Sequence, residues 1–180
     1  MDFLKGVRIM SSYRQISPEE LTRSPFSLIG KDWILITASD ESKESGANAM
    51  TASWGGLGIL WNKPVATIYV RPQRHTFTLV NKCEKLSLCF MPDSKRDALK
   101  LCGVRSGKDT DKLKQLGLSV TCEFGAPAIC DSEIIMICKK AYSDDIKEAN
   151  FNDTEHLKHY EIKDFHRFYI LEIEKILVKE

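Results

Sequence analysis

Two short runs concentrate cations and hydroxyls in a pattern suited to holding an anion. The first is Arg71-Pro72-Gln73-Arg74-His75-Thr76, between a β-branched stretch that predicts a strand and a segment that predicts a helix. Cations just ahead of a helix face the positive end of its dipole, at a cost of about 0.3–1 kcal/mol each. Local conflicts of this kind concentrate at functional sites. An anion on the free amides of the helix start resolves this one, with the arginine forks and the Thr76 hydroxyl converging on a phosphate. Solvation of Arg71 and Arg74, or pairing with surface carboxylates, is the alternative reading of the same residues.

The second run is Arg105-Ser106-Gly107-Lys108-Asp109-Thr110-Asp111-Lys112. Gly107 permits a sharp turn, and Ser106 and Lys108 can offer a hydroxyl and an ammonium to a phosphate. The GxxxxGK[ST] spacing of a P-loop is absent. Asp109 and Asp111 also suit the first turn of a following helix, which alone would explain them. A third run, Asn48 to Gly58, combines small residues and hydroxyls (Met50, Thr51, Ala52, Ser53) with Trp54 and three glycines in four positions. Small side chains let a flat ligand approach the backbone closely. A glycine-rich turn beside core tryptophans is its bland counterpart. Together the three runs point to a ligand with a planar polar ring and a phosphate tail.

The elements that position these runs are mostly strands. Trp33–Ala38, Ala47–Ser53, Pro64–Arg71 and Leu86–Met91 read as strands, and residues 128–142 and 165–178 as long β-rich stretches. Asp40–Gly46 reads as a turn and Gly55–Gly58 as a break in regular structure. Short helices are expected at Ser17–Glu20, Thr76–Cys83, Ser94–Leu101 and Thr110–Leu116, the last stopped by Gly117. Strands with helical insertions in one domain over residues 1–180 imply a barrel or sandwich, not a doubly wound parallel sheet.

Composition bounds the partners. The 180 residues carry 26 Lys+Arg against 25 Asp+Glu, with 43% hydrophobic and 28% charged side chains. That balance excludes a disordered chain and lacks the basic excess of a general nucleic-acid or membrane-surface binder. A barrel that binds oligonucleotides would need a basic groove with exposed aromatics, and the cations here are local. Six cysteines, at 83, 89, 102, 122, 130 and 138, include no CxxC and no metal-ligand spacing. They are expected mostly as buried apolar residues in a reducing, cytoplasmic setting, with Cys102 nearest the second run. The start, MDFLKGVRIM, lacks the apolar stretch of a secretory signal, and the longest apolar run, Ile134–Cys138, is far too short to span a membrane. His156 and His159 lack HExxH spacing, and His166 reads as structural.

The run NAMTASWGGLGILWNKPVATIYVRPQRHT, followed by SGKDTDKL and FHRFYILEI, resembles the flavin reductase-like proteins with the FMN-binding split-barrel fold, particularly the flavoredoxin-like branch. The resemblance spans about residues 25 to 175. It implies a mainly β fold with helical insertions, a six-stranded antiparallel split β-barrel, and a homodimer with FMN near the interface. Carried onto this chain, Met50, Thr51, Ala52, Ser53 and Trp54 run beside the isoalloxazine and ribityl chain. Arg71, Gln73, Arg74, His75 and Thr76 surround the phosphate, and Ser106, Gly107 and Lys108 form the second phosphate-side loop.

The activity implied is transfer of a hydride from NADH or NADPH to flavin N5, which needs no catalytic acid or base and no metal from the protein. Backbone amides around Ala52–Trp54 are candidates to stabilise charge on the reduced ring. The alternative is an FMN-containing electron carrier reduced by a partner protein, or flavin-dependent reduction of another acceptor such as ferric iron or a small organic molecule. Two positions depart from the family pattern. His75 stands where tyrosine is frequent, and Leu171 where glycine is common, which questions the usual pocket.

Overall fold

The computed structural model describes residues 12–180, so the reading of MDFLKGVRIM lies outside the described residues. The strands are β1 (Tyr13–Ile16), β2 (Ile34–Ser39), β3 (Ala47–Ala52), β4 (Gly55–Leu60), β5 (Lys63–Val70), β6 (Lys85–Phe90), β7 (Val120–Thr121), β8 (Ala128–Ile129), β9 (Ile134–Asp145) and β10 (Arg167–Lys179). Three helices matter here: α1 (His75–Lys82), α2 (Arg96–Val104) and α3 (Lys112–Gln115). Most sequence-based boundaries fall within a residue or two of these. The expected helix over 110–116 shrinks to α3, because Asp111 acts as its cap by accepting from the Lys114 amide.

Eight strands form one antiparallel sheet in the order β3-β2-β6-β9-β10-β5-β4, with β1 added to the far end of β10. The mainly β class is as expected, with eight strands in place of six. The two additional strands are β1 and β4. Gly55–Gly58 does not break the structure: it pairs in register with Val65–Ile68 of β5. A Cβ on Gly55 would sit 2.7 Å from the Thr67 carbonyl oxygen. Glycine there permits the close strand approach rather than ending the strand.

The first and last strands of this order, β3 and β4, are consecutive in sequence and joined by Ser53 and Trp54 alone. The sheet must therefore curl until its two ends meet, and they meet at these two residues. Alternation then sorts side chains between two cores. Ile34, Ile36, Met50, Ile68, Leu88, Phe90, Met136, Tyr169 and Leu171 fill the barrel interior. Leu35, Ala49, Cys89, Ile135 and Ile137 face outward, under α2, α3 and the segment carrying β7 and β8. Leu171 is fully buried in the interior, opposite Ala66 of β5, so its departure from glycine adds to the core and leaves the concavities below untouched. All six cysteines are free; Cys89, Cys102 and Cys138 are buried, Cys83 and Cys130 half-buried, and Cys122 exposed. Half of them, rather than most, are core residues.

Candidate anion and ring site

The β3–β4 corner and the end of β5 open a slot of about 260 Å³ lined by Met50, Thr51, Ala52, Ser53, Trp54, Tyr69, Arg71, Arg74 and His166. Beyond Arg74 lies a smaller cradle of about 200 Å³, lined by Gln73, Arg74, His75, Thr76, Val104, Arg105, Ser106, Gly107 and Lys112. Arg74 lines both, so the two concavities adjoin at its side chain.

The cradle is cationic with no carboxylate of its own. Arg74 donates to the carbonyls of Gly103 (2.6 Å) and Cys102 (3.1 Å) at the C-terminal end of α2. Lys112, only 2% exposed, donates to the carbonyls of Arg105 (3.0 Å) and Cys102 (3.4 Å). Backbone carbonyls carry partial charge and only partly offset two whole charges. Burial accordingly pushes both groups below their ordinary pKa values. An unpaired buried cation is expensive unless an anion joins it. Cys102 stands beside both cations, yet burial is the larger influence and pushes its thiol up, so it is not poised as a nucleophile.

The floor of the cradle is tightly fitted. Asn48, on β3, donates to the Thr76 hydroxyl at 2.8 Å. A Cβ on Gly107 would lie 1.9 Å from the Asn48 side-chain oxygen, so this loop position admits only glycine without displacing Asn48. His75 is turned toward Asp40, with Nε2 2.8 Å from the buried carboxylate. Burial raises the Asp40 pKa, but hydrogen bonds from Ser42 and His75 outweigh it and hold the carboxyl below its ordinary value.

Arg71 is placed differently from the other cations. It forms an ion pair with Asp164, donates to the His159 carbonyl at 2.8 Å, and lies 5.2 Å from the Tyr160 ring centre. Gln73 also donates to Asp164. Arg71 thus lines the slot but not the cradle. Lys108 is exposed and lines neither concavity; its carbonyl accepts from Lys43. Lys112, four residues later, is the lysine that lines the cradle.

Sequence reading also missed His166. It is 8% exposed, lies 5.1 Å from the Trp54 ring, and shares a 2.9 Å hydrogen bond with the Tyr160 hydroxyl through Nδ1. Burial, helped by the Arg71 charge, pushes its pKa down to about 4, so it is neutral at pH 7. Its partners come from three segments, two of them far away in sequence, and nothing within FHRFY announces them. Tyr69 was likewise hidden in an ordinary strand pattern. Among the described residues no cluster of His, Cys, Asp or Glu suits a metal ion.

Residues 27–180 match the model of the flavin reductase like domain. No curated protein sequence matches the chain. Among solved structures it is similar to the flavoredoxin of Desulfovibrio vulgaris, at 17% identity and a TM-score of 0.65, covering 93% of this chain and 78% of that one. It is similar also to an FMN-binding domain of a flavin reductases-like enzyme from Shewanella baltica (12%, TM-score 0.64, covering 93% and 77%). The flavin reductase of the Pseudomonas putida styrene monooxygenase aligns at 14% identity with a TM-score of 0.59, over 83% and 80% of the two chains.

Proposed function

The chain belongs to the flavin reductase like family, and on that premise we propose that it binds FMN and acts as an NADH- or NADPH-dependent flavin reductase. The observation that carries this reading is that Arg74 lines both a ring-sized slot and a cradle whose lining holds Arg74, Arg105 and Lys112 and no carboxylate. A phosphate ester on a planar ring suits both halves at once. Arg74, Lys112, Thr76 and the loop around Gly107 hold the phosphate. Met50 to Trp54 line one side of the ring, with neutral His166 and Tyr69 beside them.

FMN supplies the hydride-accepting ring that side chains lack. The protein binds and orients it, and limits water at one face by packing Trp54 edge-on to His159 and tilted against His166. Ser53 and Trp54 stand outside both neighbouring ladders, which suits their amides to stabilising negative charge on the ring. The proposed working unit is a cytoplasmic homodimer with the flavin near the contact. In support, β4 ends the sheet, and its Ile59 and adjoining Trp61 are 71% and 58% exposed, an apolar edge that a second copy would cover.

The test is anaerobic addition of NADH or NADPH to FMN-loaded protein. Loss of the oxidised-flavin colour is expected with at least one of them. Protein that retains FMN and is bleached by neither is an electron carrier fed by a partner protein, and the reductase reading fails.

A further inference from the structure

The chain between β9 and β10 leaves the sheet and returns to it at one point. Arg167 pairs with Asp145, and the Ile146 amide donates to the His166 carbonyl at 2.9 Å, closing the base of an excursion over residues 147–165. No strand forms within it, only two short 3-10 helices, Glu148–Asn150 and Thr154–Tyr160. These residues have a small core of their own. Tyr160 stacks on Phe165 at 4.7 Å between ring centres, and Phe151 lies 6.0 and 6.1 Å from the two rings. Lys163 pairs with Glu148 at 3.1 Å across the loop. A compact loop with adjacent ends and its own packing opens as a unit, and such loops are often functional.

One side chain does most to fasten this loop to the barrel. Arg71, one residue past β5, pairs with Asp164, donates to the His159 carbonyl at 2.8 Å and lies 5.2 Å from the Tyr160 ring centre. Gln73 donates to the same oxygen of Asp164 as Arg71 does. The other oxygen, Oδ1, is buried and has no hydrogen-bond partner. The clasp therefore hangs on a single carboxylate oxygen. His159 stands edge-on to Trp54 at 5.5 Å. Arg71 and Trp54 both line the ring slot, so the loop is fastened at the mouth of that slot.

We propose that residues 147–165 form a flap at the mouth of the ring slot, and that Asp164 is a positioning residue that latches it through Arg71. Asp164 itself lines neither the slot nor the cradle. With the latch engaged, a bound ring is retained. With it released, the flap swings on its base at Ile146 and His166, and the ring enters or leaves. The gating of a flavin rests on the flavin reading of the slot; the latch does not.

Hydrogen exchange of the full-length apoprotein tests the latch. In Asp164→Ala the amides of 147–165 should exchange about tenfold or more faster, the effect of losing a charge-assisted hydrogen bond, with barrel amides unchanged. Arg71→Ala should act in the same way. The double variant should exceed Arg71→Ala by no more than about twofold, because one contact is broken only once. Asp164→Glu should restore most of the protection. FMN release from the loaded protein, followed by recovery of free-flavin fluorescence on dilution, should quicken about tenfold in Asp164→Ala and return toward wild type in Asp164→Glu. Unchanged exchange of 147–165 in both single variants, faster exchange throughout the barrel, or multiplied effects in the double variant overturns the latch. Faster flap exchange with FMN release within about twofold of wild type overturns the gating. Failure of the wild-type protein to take up FMN rejects the flavin reading, and exchange in the apoprotein still decides the latch.

Discussion

The side chains of Arg74 and Lys112 meet on one acceptor, the carbonyl oxygen of Cys102, at 3.1 and 3.4 Å. Two cations converging on a neutral oxygen repel one another, and a phosphate monoester beside them turns that repulsion into binding energy. Arg74→Ala and Lys112→Met should each weaken FMN by about 1.5–3 kcal/mol, the range of a hydrogen bond to a charged group. Riboflavin affinity should change little. Lys112→Met should also leave the apoprotein as stable as wild type or more so, since an apolar chain replaces an unpaired buried charge. Thermal unfolding of apoprotein checks this, and a clear loss of stability would make Lys112 a structural residue.

Gly107→Ala is expected to push Asn48 off Thr76, because the new methyl carbon would lie 1.9 Å from the Asn48 oxygen. Breaking a buried hydrogen bond costs about 1–3 kcal/mol. Denaturant titration should show that loss, together with weaker FMN binding from a distorted cradle. An unchanged midpoint would mean that the loop relaxes freely.

Arg71 and Arg74 should behave differently although they are only three positions apart. Arg71 is held by Asp164 at the slot, so Arg71→Ala or Asp164→Asn should weaken FMN and riboflavin to similar extents. Arg74→Ala should discriminate between them. Calorimetric titration of both ligands into each variant decides the matter, and a phosphate-selective loss in Arg71→Ala would return that residue to the cradle.

Acid should destabilise the protein in two stages. The unfolded chain protonates a histidine near 6.5, while native His166 resists protonation down to about 4. The unfolded state therefore binds more protons in this window, and stability falls as pH drops from about 6.5 to about 4. Below that, Asp40 and Asp164 add to the loss. Burial raises both carboxyls, but the hydrogen bonds to Ser42 and His75, and to Arg71 and Gln73, outweigh it and hold them low. Equilibrium unfolding against pH should show the upper slope in wild type and its absence in His166→Gln.

Apolar, β-branched runs such as Trp33–Ala38 made the strands legible, while the choice between barrel and sandwich depends on pairing between strands far apart in sequence. The meeting of the two cationic runs at one cradle was legible in part, because charges ahead of α1 conflict with its dipole and mark that stretch. The strand β4 was not, because glycine signals a break locally, while at Gly55 the crowding by Thr67 arises from the neighbouring strand. The choice between Lys108 and Lys112 depends on how the loop after α2 folds back, which residue types alone do not fix. His166 owes its neutrality to Trp54, Tyr160 and Arg71, which lie 6 to 112 positions away.

The most direct test of the phosphate cradle is a comparison of FMN and riboflavin binding to the wild-type apoprotein by calorimetry. Half-buried Arg74 and buried Lys112, at about 1.5–3 kcal/mol each, predict FMN binding at least about a hundredfold tighter. Equal affinities for the two flavins would contradict the account.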